Sequence, residues 1–125
     1  MMLEKLRLTF SIFVFLFINI NYTKADLKIP NNLILPAEVI KIQLIGLMEN
    51  DKDFKDSGIE QTWNFAHPDN KKITGPLPNF KMMIKGNSYN MLLNHLSHKI
   101  TELRSSDKRA QFEVTILDKD KIYHK

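Results

Sequence analysis

Cysteine is absent from this chain of 125 residues. That excludes disulfides, thiol nucleophiles, iron–sulfur clusters and a lipidated amino-terminal cysteine. Packing alone must then hold the fold, which is feasible but marginal for a mature chain of about 100 residues. Glycine is also scarce: four residues, scattered, none in a phosphate-cradling loop. No G-x-S-x-G is present to hold a nucleophilic serine on a strained turn. Charge of one sign is missing as well. Half of the formal +4 lies within residues 1–25, where Lys5, Arg7 and Lys24 face only Glu4. The remainder is nearly neutral, with no basic stripe for a phosphate backbone, so nucleic acid is not an expected partner.

What residues 1–25 do have is a leader pattern. Lys5 and Arg7 precede the apolar run Phe10–Ile20, about half the roughly 20 residues that span a bilayer. A basic start, a short apolar core and small residues afterwards form a secretory signal. Thr23-Lys24-Ala25 places the cut after Ala25. The expected address is therefore exported: periplasmic, lumenal or secreted. The alternative is an uncleaved anchor that touches the membrane through residues 6–20.

Residues 26–35 read as an extended lead-in, with Pro30, Asn31 and Asn32 opposing regular structure. A single domain is expected over residues 36–125. Pro36 suits the first turn of a helix, and Ala37, Ile40, Leu44, Leu47 and Met48 form one stripe of it. Ile42 and Ile45 widen that stripe, so the helix should be covered on more than one side. Ser57-Gly58-Ile59-Glu60 is a capping-box pattern, predicting a helix with Ile59, Thr62, Trp63 and Ala66 on one face that stops at His67, before Pro68. Asp69–Pro76 reads as loop. Pro78 opens a further short helix carrying Phe80, Met83 and Ile84 and closed by Gly86. The period then changes. Ala110, Phe112, Val114 and Ile116 alternate with polar neighbours as a half-buried strand, with Ser97–Leu103 as its antiparallel partner and Ile122-Tyr123 as a third piece. Helices first and a β-meander after them is α+β, the helices packed on one sheet face.

The chain is organised around Trp63–Ile84, which holds the only tryptophan and three of five prolines. Here Phe65-Ala66, Pro68, Asn70, Thr74-Gly75-Pro76-Leu77, Phe80 and Met82, followed by Tyr89 and Leu92-Leu93, resemble an uncharacterised domain-of-unknown-function family. That family is similar to the nuclear-transport-factor-2-like, or cystatin-like, α+β superfamily. The resemblance implies helices folded over a curved antiparallel sheet to form a cone, and brings no activity with it. Such domains usually continue into one or two more strands, so a sheet ending at Lys125 implies an unpaired edge needing a partner or a second copy, a homodimer. His67 stands where the pattern has a small polar residue.

The candidate pocket consists of Trp63, Phe65, His67, Phe80 and Tyr89, which would line the mouth of the cone, with Met83 beside them. The competing reading is that aromatics on inner helix faces are core. His95 and His98 are three apart, a spacing for metal ligation only on a helix, whereas on a strand they would face opposite ways. No third ligand is near, so no metal is expected. Asp51, Asp53 and Asp56 resemble a calcium loop superficially, but Lys55 occupies a ligand position, and solvated turn carboxylates are expected instead. Thr74-Gly75-Pro76-Leu77 reads as turn chemistry. No Asp or Glu falls on an inward strand position, Glu113 alternating outward and Glu102 being unassigned, so acid–base catalysis lacks a shielded carboxylate. The expectation is an exported domain, non-catalytic and without a cofactor, binding a small apolar ligand or a protein partner. The alternatives are a subunit or assembly factor of an exported or membrane complex, and an isomerase- or hydrolase-like enzyme using His67.

Overall fold

Pro36 starts α1 (Pro36–Met48) at a position where its missing N–H leaves no bond unmade. The computed structural model describes residues 26–125; the signal segment expected at 1–25 lies outside them. Four helices follow one another, α1, α2 (Ser57–Asn64), α3 (Pro68–Thr74) and α4 (Leu77–Lys85). A 3-10 turn at Asn90–Leu92 then leads into three antiparallel strands, β1 (Ser97–Ser105), β2 (Ala110–Leu117) and β3 (Tyr123–His124), in the order β1-β2-β3. The fold is α+β with an open sheet, helices first.

The core lies between the helices: Leu47 from α1, Ile59 from α2, and Phe80 and Ile84 from α4. Trp63, Met83, Leu92 and Leu93 pack around it. Each such side chain contributes about 1.5–3 kcal/mol of burial as an upper estimate. Of the helices, α1 makes the main contact with the sheet, lying against β1. Ile116 is the buried side chain of the sheet. The lead-in has no regular structure and turns at Asn32–Ile34, where Ile34 N donates to Asn31 O at 3.3 Å. It is held in place by the Gln61 side chain, which accepts from Lys28 N at 2.7 Å and donates to Lys28 O at 3.0 Å.

Three local expectations fail for identifiable reasons. Ser57 does not cap α2. Asp56 is the N-cap residue, in the left-handed region at φ 62° with no side-chain cap bond. Asn50 Oδ1, eight residues upstream, accepts from the N–H groups of Gly58 and Ile59 instead, so the cap is tertiary where the sequence suggested a local one. Asp56 is no solvated carboxylate either. It is 7% exposed and bonded to Lys85 on α4 at 2.8 Å, while Asp51 Oδ1 accepts its N–H. Finally, Asp69–Pro76 is largely helix. His67 acts as N-cap, its Nδ1 accepting from Asp69 N at 3.1 Å. Pro68 takes the first helical position, and Gly75 at φ 80° ends the helix as the turn reading required. Pro68 initiates a helix here, beyond the expectation that it ends the one before it. Also, α2 stops at Asn64, three residues short of His67, and the third strand is Tyr123–His124, one residue on from Ile122-Tyr123.

α1 and α2 cross where neither carries a side chain. A Cβ on Gly58 would lie 1.8 Å from Gly46 O, whereas one on Gly46 would lie 3.2 Å from Gly58 O. The asymmetry gives an expected outcome. Gly58→Ala must push two backbones apart and should cost at least about 3 kcal/mol by overpacking. Gly46→Ala should stay within about 1 kcal/mol of the parent, because alanine's helix propensity offsets a mild contact. Urea denaturation of both variants checks this, and equal costs would contradict the crossing geometry.

Candidate functional site

An open cleft of about 860 Å3 lies between the helices and β2. One wall is α1, through Pro36, Val39, Ile40 and Gln43; the facing wall is β2, through Ala110 and Phe112; Thr62, Phe65, Ala66, His67, Asn70 and Ile73 come from α2 and α3 and the turn between them. Phe80, 6% exposed, belongs to both the core and the cleft, and Met83 and Tyr89 complete it. Among the described residues, no Asp, Glu, Lys or Arg lines the cleft, in a chain of which 26% is charged. A second hollow of about 540 Å3 beneath the lead-in has the opposite character, being lined by Glu38, Lys41, Glu49, Lys52 and Asp53 among others.

Phe65, His67, Phe80 and Tyr89 of the expected pocket, and Met83, therefore meet at one cleft. Trp63 does not line it. The indole packs against the helical core, with Lys71 Nζ 4.3 Å from the ring centre and its buried Nε1 without a partner among the described residues. His67 is exposed, and its Nδ1 is engaged by the cap of α3, with Asp69 Oδ2 3.7 Å away. The wall formed by Val39, Ile40, Ala110 and Phe112 was missed as a site. Its signal was present in the inward alternation of Ala110 and Phe112, but nothing local says which helix that strand will face.

Other ionisable groups cluster at the junction of helices and sheet. His95 is 2% exposed. Its Nδ1 lies 2.6 Å from Leu92 O and its Nε2 2.8 Å from His98 Nδ1. A carbonyl only accepts, so His95 carries its proton on Nδ1 and its Nε2 accepts the proton of His98 Nδ1. The spacing argument placed these rings on opposite faces. They meet because His95 precedes β1, next to Asn94 in the left-handed region at φ 56°. Burial, reinforced by His95 and Lys41, holds His98 below its ordinary pKa of 6.5. In the β2–β3 turn, Asp118 Oδ1 accepts from the N–H groups of Asp120 and Ile122 at 2.9 Å, and its Oδ2 lies 2.7 Å from His124 Nε2. The Ile122 bond, with the His124 bond next, sets Asp118 below the usual carboxylate value. Lys85 does the same for Asp56. Glu102 shares the face of Phe112, its partner across the β1–β2 ladder, but is exposed. The described residues contain no group of three or more His, Cys, Asp and Glu arranged to hold a metal.

No family model, curated protein or solved structure matches the chain.

These environments fix a pH profile. A histidine whose folded pKa is depressed leaves stability unchanged above its ordinary value of 6.5. As pH falls below that value the unfolded chain takes up the proton first, so stability drops. Depressed carboxylates add stability above their ordinary 3.8, and it is lost as pH falls further through their folded values. Urea midpoints should therefore fall in two steps, one below pH 6.5 and one below 3.8. His98→Gln keeps a donor for His95 and cannot titrate, so it should shrink the upper step and leave the lower. An unchanged upper step would remove His98 from the account.

Proposed function

We propose that this is an exported, non-catalytic binding domain whose cleft between α1, α3 and β2 takes a small, neutral, largely apolar ligand. The observation that carries the reading is the uncharged lining of that cleft, with Phe65, Phe80, Phe112 and Tyr89 around it. Clefts of roughly 300–1,000 Å3 walled by apolar and aromatic side chains with a few polar groups are the usual form of small-molecule sites. The polar groups are Gln43, Thr62, His67, Asn70, Thr74 and Tyr89, of which His67 Nδ1 is taken by Asp69 N and Thr74 Oγ1 by Asn70 O. Gln43 Nε2 is committed to Thr62 O at 3.1 Å, which leaves its amide oxygen as an acceptor. Such a set suits one hydroxyl or amide on an otherwise hydrocarbon body. A charged ligand would lose its hydration with no counter-ion in return. The export component rests on the basic-then-apolar pattern of residues 5–20. A helix-covered cavity is also what the resemblance to the cone-forming superfamily implies.

A second reading is a protein partner that seats an apolar side chain in the same cleft. It draws on the exposed apolar residues Ile73, 84% exposed at the rim, and Leu35 next to Pro36. Exposed apolar area of this kind is commonly covered in a complex.

The neutral fluorophore N-phenyl-1-naphthylamine separates the readings. Under the ligand proposal it binds saturably, and Val39→Glu weakens binding at least ~10-fold by placing a charge in the wall. That variant should fold, because an acidic side chain suits the first turn of α1. Lys119→Glu, outside the cleft, should leave binding unchanged. No saturable binding by the folded parent would leave only the partner reading.

A further inference from the structure

β1 lies at one edge of the sheet, and among the described residues no strand pairs with its outer side. The phase of its backbone groups follows from three bonds at the ends of the ladder. Asp118 N donates to Ile122 O, which turns the backbone groups of even-numbered residues of β2 towards β3. Leu96 N donates to Leu117 O, and Ser106 N to Arg109 O, which turns the odd-numbered residues towards β1. With Ser97 paired to Leu117 and Lys99 to Thr115, the backbone groups of Ser97, Lys99 and Thr101 are used within the sheet. Those of His98, Ile100 and Glu102 point outward, unpaired. Asn94, in the left-handed region, closes the usable edge on one side. The bulge between Glu102 and Arg104 closes it on the other.

We infer that two copies of this chain pair antiparallel through their β1 edges about a two-fold axis at Ile100, making one six-stranded sheet. The register follows from the edge. Ile100 is the middle one of the three residues with outward backbone groups, His98, Ile100 and Glu102, Leu96 N being already bonded to Leu117 O, so centring there keeps the pairing longest. A two-fold axis normal to the sheet keeps the faces matched, so Ile100 meets Ile100, Lys99 meets Thr101, and His98 meets Glu102 of the other copy. Centring on Glu102 would set two carboxylates opposite one another and run into the bulge. The Ile100 register uses all three outward residues on each copy, giving about six backbone bonds. On the helix-facing side it adds an apolar pair at the axis, flanked by opposite charges when His98 is protonated. His98 Nε2, the ring nitrogen not bonded to His95, is the one free to donate to Glu102. The titratable or charged groups around His98 are then His95 before β1, Lys41 on α1 and the incoming Glu102; its neighbour on β2, Ile116, has no charge. Pairing β1 with β1 about a two-fold axis uses the same edge on both copies, so this interface closes at two copies.

The absence of native cysteine makes this register directly testable. In the full chain, Ile100→Cys brings two sulfurs together at the axis, where opposed Cα atoms lie ~5.5 Å apart, within disulfide range. Mild oxidation should yield covalent dimer at least ~5-fold faster than for Thr101→Cys, whose copies lie off the axis by the strand rise. Ile100→Pro removes an N–H that β2 does not use, so β1 should survive. Sedimentation should show it dissociating at ten-fold or higher concentrations than the parent. Glu102→Gln should dimerise with less difference between pH 6 and pH 8 than the parent. A parent that sediments as a monomer at hundreds of micromolar would overturn the inference, as would equal cross-linking at positions 100 and 101. If Ile100→Pro loses its far-ultraviolet circular dichroism, the cysteine comparison alone decides.

Discussion

Everything else in the fold depends on how closely α1 and α2 can approach. Gly58 sits directly over Gly46 O, with no room for a β-carbon. The polar bonds on either side are set by that distance. On one side, Asn50 Oδ1 reaches the first amides of α2. On the other, Gln43 and Thr62 exchange bonds, the amide of Gln43 donating to Thr62 O and the hydroxyl of Thr62 lying 3.3 Å from Gln43 O. Hydrogen bonds of this length do not survive a separation of even one ångström. The glycine contact therefore replaces a hydrophobic seam with a backbone contact plus a short polar zip. The apolar surface of the two helices is left free to face elsewhere, Leu47 and Ile59 towards α4, and Val39 and Ile40 towards the cleft.

That division explains why the cleft exists. A helix as apolar around its circumference as α1 must be covered on several sides, and its partners cover only some of them. α2 takes the glycine side, β1 another, and the lead-in pinned by Gln61 spans a third. The side bearing Val39 and Ile40 faces β2 across a gap. The hairpin cannot close that gap, because the turn at Asn94–Leu96 ties it to the helices at one end only. Asn94 N donates to Leu47 O, and His95 is bonded to Leu92 O. The far end of β1, from Thr101 onward, is exposed.

The sequence made the architecture legible because periodicity survives tertiary context. Pro36, the stripe through Leu44 and Leu47, and the alternation from Ala110 to Ile116 each state a local preference that packing only reinforces. Phe80 and Gly86 likewise fell where Pro78 placed them. What stayed hidden were arrangements in which a residue serves a distant segment. Asn50 caps a helix it does not belong to. Gly58 is small for the sake of Gly46, twelve positions away in sequence. His67 and Pro68 read as the end of one helix, whereas they begin the next. The site divided in the same way. Phe65, His67, Phe80 and Tyr89 could be grouped because they sit close together in the chain, while Phe112 entered the cleft only through a register that no local pattern records. Trp63 lies on the same helix as Thr62 but turns its indole into the helical core.

The cleft's position has a thermodynamic consequence that its lining alone does not suggest. Its walls come from two parts of the molecule with unequal support. The helical part is tied by a buried cluster, the glycine crossing and the Asp56–Lys85 bond. The sheet is tied to it mainly by Ile116, the His95–His98 pair and the contact of α1 with β1. Regions with few buried apolar contacts open at lower free energy than the core they attach to. An occupant touching both Val39 on α1 and Phe112 on β2 would add apolar contact at that weak junction. Its binding energy would then appear as added resistance of the hairpin to opening, by mass action on the docked state. The incomplete coverage of α1 that leaves the cleft open is thus also what leaves the sheet available to be steadied by whatever fills it.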